Sequence, residues 1–242
     1  MLRLRGLKLL PAKAALQELP EGKLLINTIN AWSFVCAQED PLFAEALQKG
    51  DVLIPDGVSI VKACRWLGMP ERPAERVAGW DLFEAEMAAL EKRGGKCLFL
   101  GSSPKVLQAI VEKAAVVYPH IQVDTYSPPY KPEFTEADDR AMLEAVRASD
   151  PDLLWIGMTA PKQEKWAYAH WAELPIHGHC GTIGAVFDFF AGTARRAPQA
   201  WQRLGLEWLY RLVSEPKRMW RRYLLGNARF LYLILKEKLS ST

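Results

Sequence analysis

The chain has 242 residues, of which 50% are hydrophobic and 24% charged. That balance supports a large packed core and excludes a disordered or fibrous protein, and the length suits one α/β domain with an appendage. The net charge of +3 is unevenly spread: residues 195–242 hold eleven Lys/Arg against three Asp/Glu, and residues 1–194 hold twenty against twenty-five. A basic tail on a mildly acidic body suits an anionic partner, either nucleic acid or a membrane surface.

In chain order, residues 1–11 (MLRLRGLKLLP) interleave arginine with leucine and lack the apolar core of a signal peptide. The first predicted strand, Leu24–Thr28, runs into NTIN, which leaves Thr28 and Asn30 at its carboxyl end. The second, Val52–Ile54, is followed by Asp56 and Gly57. An aspartate there can serve as a general base if a hydroxyl reaches it. Read alone, the segment favours a helix cap, because Gly57 opens the next helical pattern.

An amphipathic helix over Asp81–Lys92 leads to a strand over Lys96–Leu100 and the turn Gly101-Ser102-Ser103. Pro104 then suits the first position of a helix reaching Val117. Helix starts of this kind attract phosphate, and they are equally ordinary caps. Strands over Gln122–Tyr126, Leu153–Gly157 and Ile176–Gly178 follow, with Lys162–Glu164 and Gly181–Gly184 at carboxyl ends. Strands alternating with helices imply a Rossmann-like parallel sheet flanked by helices. Runs such as CLFLG and LLWIG imply burial on both faces. Ligands of such sheets bind at the carboxyl ends of the strands.

Metal chemistry finds little support. His177, His179 and Cys180 lie close together but lack a fourth ligand at a usual spacing. The four cysteines are scattered without a CxxC pair, which suits a reducing cytoplasmic compartment. The absence of a GxGxxG fingerprint argues against a dinucleotide-dependent oxidoreductase.

After Arg195, tryptophan, arginine and leucine dominate, and two helices are predicted over Gln199–Val213 and Pro216–Lys238. The division is thus a body over residues 1–195 and a helical appendage over 196–242. On one continuous helix Arg218, Arg222, Arg229 and Lys236 fall within about 40° of one another, opposite Met219, Trp220, Phe230 and Ile234. A basic amphipathic helix of this type is either a membrane-surface element or a terminal helix packed on the body. Its apolar face argues against nucleic acid. A cut near Ala194 is expected to leave a folded body, since every predicted strand precedes it.

Seven segments, in order, resemble the WecG/TagA/CpsF glycosyltransferases, also called glycosyltransferase family 26. They are NTIN (27–30), IPDGVSIV (54–61), ERVAGWDL (75–82), FLGSSP (99–104), GMTAPKQEKW (157–166), GTIGAVFDFFAGTARRAP (181–198) and LEWLYRLVSEPKRMWRRYLLGNARFL (206–231). The resemblance implies inverting transfer, without metal or other cofactor, from a UDP-sugar donor to an undecaprenyl-diphosphate-linked sugar. The transferred unit would be N-acetylmannosamine, its uronate or a hexose. By the same resemblance Asp56 is the catalytic base, with Thr28 and Asn30 beside it. Arg76, Gln163, Gly101 and Asp188 would contact the donor. Arg211, Arg218 and Arg221 would come from an appendage that closes over the site at the cytoplasmic membrane surface. Met158-Thr159 and Thr182-Ile183 depart from the family's usual pattern. Oligomeric state is left open, self-association included.

Overall fold

The computed structural model describes residues 2–240, with the side chains of Gln199, Arg203 and Arg218 outside that description. Six strands form one parallel sheet: β1 (Leu24–Ile29), β2 (Val52–Pro55), β3 (Gly95–Gly101), β4 (Ile121–Tyr126), β5 (Leu153–Gly157) and β6 (His179–Thr182). Their spatial order is β2-β1-β6-β5-β3-β4. The fold class read from the sequence is therefore the one observed.

Five strands lie where the apolar runs place them. The sixth starts at His179 instead of Ile176. Crowding accounts for the shift: a side chain at Gly178 would lie 2.0 Å from the Asp152 carbonyl oxygen. Ile176 serves instead as a buried residue of the core beneath β5 and β6.

Helices cover both faces, as near-continuous apolar strands require. On one face lie α4 (Gly79–Arg93), α5 (Pro104–Val117) and α8 (Gly184–Ala191), around a core holding Phe83, Phe99, Trp155 and Phe187. On the other lie α1 (Ala31–Cys36), α2 (Pro41–Lys49), α3 (Val58–Leu67), α6 (Glu136–Ser149) and α7 (Lys162–Ala169).

The chain beyond residue 195 divides in two. The segments α9 (Gln199–Arg203), α10 (Glu207–Ser214) and α11 (Pro216–Trp220) are short, and α10 buries no residue. A π-helical turn over Arg221–Leu225 follows. By contrast α12 (Gly226–Leu239) belongs to the body. It sinks Phe230, Leu233 and Ile234 into the core that contains Phe34, with the Phe34 and Phe230 rings edge-on at 5.6 Å. Gly226 passes so close to Trp32 that an added Cβ would sit 2.7 Å from its ring. At the far end, the buried Glu237 carboxylate accepts the backbone N–H groups of Leu4 and Arg5, each at 2.9 Å.

The π-turn also explains why the basic stripe is not one face. One extra residue per turn rotates everything after it by about 100° relative to an α-helix. Arg222 therefore faces the interior cavity, while Arg229 pairs with Glu39 at 2.5 Å on the body. Trp220, Leu224, Leu225, Leu231 and Leu235 point outward, Leu224 at 55% exposure.

These placements separate two kinds of apolar residue. Phe230→Ala should cost about 3–5 kcal/mol of stability, as for buried aromatics, whereas Leu224→Ala should change it by less than about 0.5 kcal/mol. Urea unfolding followed by far-UV circular dichroism measures both. For the same reason a chain cut at Ala194 loses Phe230, Leu233, Ile234 and Glu237 together. It should melt well below the full chain, contrary to the expectation of an intact body.

Candidate functional site

The carboxyl ends of the strands open into a cavity of about 1290 Å³. Its floor comes from the ends of β1, β2, β5 and β6, and its walls from α1, α7, α8, α10 and the turn at 221–225. Seven Lys/Arg and four Asp/Glu line it, an excess of positive charge suited to a polyanionic ligand.

Asp56 follows β2 and lines the cavity, but it does not cap α3; Gly57 holds the cap position, without a side-chain bond. The Asp56 carboxylate instead accepts two hydrogen bonds through Oδ1, from Arg76 Nε at 3.2 Å and Arg76 Nη2 at 3.0 Å. Arg76 Nη1 lies 2.9 Å from Glu207 Oε2 on α10, an ion-pair contact outside hydrogen-bond geometry. Burial opposes the arginine's charge, but Asp56 and then Glu207 outweigh it, and the Arg76 pKa is raised. The appendage is thus tied electrostatically to the residue beside the predicted base.

Thr28 and Asn30 both line the cavity next to Asp56. Asn30 also acts as the turn former that the sequence allows, its Oδ1 capping α1 by accepting Ser33 N–H at 3.1 Å. Gln163, on the first turn of α7, is buried; its Oε1 accepts Met158 N–H at 3.1 Å, so it fixes the loop after β5. Asp188 on α8 lines the opposite wall, held by Thr193 Oγ1 at 3.3 Å. Arg211 on α10 reaches the cavity with its guanidinium 5.7 Å from the Phe189 ring centre.

Two expected site residues lie elsewhere. Gly101 sits beneath the cavity at φ +127°, where an added Cβ would meet the Gly157 carbonyl oxygen at 2.4 Å. Its conformation lets β3 and β5 close together, and the lining begins at Ser102. Arg221 is exposed over the Trp220 ring, outside the lining. The Arg218 side chain lies outside the described residues.

Other lining residues escaped the sequence reading. Trp80 opens α4 and carries Arg196 over its ring at 5.4 Å. Lys62, Glu207 and Arg222 also face the cavity. Glu164, the last residue of the strand-end group Lys162–Glu164 marked in the sequence, is 1% exposed at the cavity wall. Its Oε1 accepts Gln163 Nε2 at 2.9 Å, and its Oε2 is buried with no hydrogen-bond partner. Burial pushes its pKa up to about 7, an effect that the Gln163 hydrogen bond and the Arg222 charge only partly offset. The adjoining Gln163 was the signal that could have found it.

The histidine cluster has another explanation. His179 Nδ1 is 2.9 Å from Glu86 and Nε2 is 3.0 Å from the Pro20 carbonyl oxygen, while His177 is exposed. Among the described residues, no three His, Cys, Asp or Glu side chains gather as a metal site.

The description "Glycosyl transferase WecG/TagA/CpsF family" matches residues 6–242 of this chain. The chain is also similar to an N-acetylglucosaminyldiphosphoundecaprenol N-acetyl-beta-D-mannosaminyltransferase of Bacillus spizizenii. The two are 29% identical over 205 residues, which cover 85% of this chain and 76% of the relative.

Glu164 gives the empty protein a distinctive pH dependence. Its folded pKa is raised above the ordinary 4.5, so between about 4.5 and 7 the folded state holds a proton that the unfolded state has lost. Stability from this group therefore falls as pH rises through that window and is level above it. The gap in melting temperature between the wild type and Glu164→Gln should shift against the wild type from pH 5 to pH 7. A gap independent of pH would refute the assignment.

Proposed function

Since the chain belongs to the WecG/TagA/CpsF glycosyltransferase family, we propose that it moves a sugar from a UDP-sugar donor to an undecaprenyl-diphosphate-linked sugar, with inversion. The observation carrying this reading is an aspartate at a strand's carboxyl end, facing a cationic cavity and gripped by an arginine. The Bacillus relative, named for transfer of N-acetylmannosamine to N-acetylglucosaminyldiphosphoundecaprenol, supports that sugar and that acceptor as the first pair to test.

The acceptor hydroxyl oxygen attacks the anomeric carbon as the bond from that carbon to the β-phosphate oxygen breaks. Its proton passes to the Asp56 carboxylate, and UDP leaves from the opposite side. Thr28 and Asn30 border the path of that proton. Arg76 is the switch in this scheme: a donor diphosphate competes for its guanidinium, which releases Asp56 to accept a proton. Arg211, Arg196 and Arg222 then meet the charge that develops on the departing diphosphate, with charge-assisted hydrogen bonds. Gln163 and Asp188 orient the donor from facing walls. The cavity exceeds the usual range of about 300–1,000 Å³ for one small ligand, as a site for two substrates requires.

Residues 196–225 act as the cover, joined to the reaction through Glu207 and Arg211. The outward Trp220, Leu224, Leu225, Leu231 and Leu235, flanked by Lys217, Arg221 and Lys236, suit docking on an anionic membrane surface. Among the described residues, no helix is long and apolar enough to cross a membrane.

Asp56→Asn should lower turnover by about 10²–10⁴ while donor binding persists, because the proton acceptor is lost while Arg76 keeps Glu207 as a partner. Single-turnover assays with UDP-N-acetylmannosamine and a polyprenyl-diphosphate-linked N-acetylglucosamine would measure this, and wild-type turnover by the variant would remove Asp56 from the role. EDTA should leave the rate unchanged, since the cavity's own cations carry the leaving-group charge. Loss restored by magnesium or manganese would overturn that part.

A further inference from the structure

The displacement just described makes no use of Glu164. Its carboxylate is nevertheless tethered through a chain of contacts. Gln163 is pinned by Met158 N–H and itself donates to Glu164 Oε1. Helix α7, which carries both, is braced against α2 by the Lys165–Asp40 ion pair at 2.8 Å and the Tyr168–Glu45 hydrogen bond at 3.1 Å. The remaining oxygen, Oε2, is buried without a hydrogen-bond partner, and the residue borders the cavity.

A buried carboxylate oxygen in this state loses its hydration and regains only the bond from Gln163 to the other oxygen and the influence of the Arg222 charge. Folds keep such a group when a partner arrives from outside, and here the cavity is the route by which one arrives. For the ionised group that partner is a hydrogen-bond donor. A diphosphate offers only acceptors and negative charge, so Oε2 itself has nothing to take from it, even with Arg222 acting on the same carboxylate. The hydroxyl and acetamido N–H groups of a pyranose are neutral donors of the right kind. Asn30 and Trp32 of α1 line the same cavity, so a ring held against Glu164 sits on the side of the sheet that carries Asp56's neighbour.

We propose that Glu164 is a sugar-recognition residue whose Oε2 accepts a hydroxyl or N–H donor of a pyranose ring, with Gln163 as its positioning residue. This inference rests on the glycosyl-transfer reading. The same chemistry is available from the transferred sugar and from the sugar of the acceptor, and kinetics separates them.

The test compares wild type with Glu164→Gln, using UDP-N-acetylmannosamine and polyprenyl-diphosphate-linked N-acetylglucosamine, together with single-deoxy analogues of each sugar. A hydrogen bond to a charged group corresponds to about 10–100-fold in affinity. The variant should therefore raise KM for one of the two substrates by about that factor, with kcat within a few-fold of wild type. The substrate whose KM moves identifies the ring. One deoxy analogue of that ring should lose a similar factor with wild type and almost nothing further with the variant. Should Glu164→Gln melt too low to assay, Glu164→Asp carries the same comparison, keeping the charge but withdrawing it by one methylene. Unchanged KM for both substrates, or a variant that discriminates every deoxy analogue as wild type does, would overturn the proposal and leave the glycosyl-transfer reading standing. Should the wild type transfer no sugar between these substrates, the same comparison runs with UDP-N-acetylmannosaminuronate and UDP-hexoses, and failure with every donor would sink both.

Discussion

A guanidinium shared among three parts of the chain organises this molecule. Arg76 lies in the segment between α3 and α4, grips the aspartate after β2, and reaches Glu207 on a helix more than a hundred residues later. A charge this buried survives only when paired. Removing either carboxylate therefore affects more than its own position. Asp56 keeps its orientation because Arg76 does, and the short helices over the cavity have a fixed docking point because Arg76 needs a second anion. In the proposed reaction, chemistry and cover are coupled through one side chain, for which a donor diphosphate would compete with both partners.

The sheet was readable because parallel strands buried on both faces leave uninterrupted apolar runs. The clearest are β2, β3 and β5; the edge strand β4 (IQVDTY) mixes polar with apolar residues, and β6 (HCGT) carries two residues chosen for neighbours instead of for a run. Gly181 lies so close to Trp155 that an added Cβ would sit 2.5 Å from the ring, and His179 answers Glu86. Periodicity has no means of anticipating either. The appendage misled for a different reason. A helical wheel drawn through residues 216–238 assumes a constant 100° step, and the π-turn breaks that step between Arg221 and Leu225. Arg222 and Arg229, neighbours on the wheel, end in a cavity and against Glu39.

The site was readable to the extent that it uses strand ends. Thr28, Asn30 and Asp56 follow from that rule together with the family likeness. Gly101 followed the same rule and yet lies under the floor, since its role is to let two strands approach. Glu164 shows the converse case. In the sequence it falls in the strand-end group Lys162–Glu164, but nothing there separates a buried carboxylate from a solvated one. Only the packing of α7 against α2 and the tethered Gln163 reveal that it is buried.

The hydrogen bonds from Leu4 and Arg5 to Glu237 span more than 230 positions, which gives the fold an unusual timetable. Synthesis at about 5–20 residues per second puts roughly 12–47 seconds between the two partners. Through that interval Leu2, Leu4, Leu7 and Leu9 have no α12 to pack beside, and the Phe34 ring lacks Phe230. The sheet's β1 to β6 are all made before the clasp can close. The leucines of residues 2–9 therefore wait for the last part of their core until α12 is made.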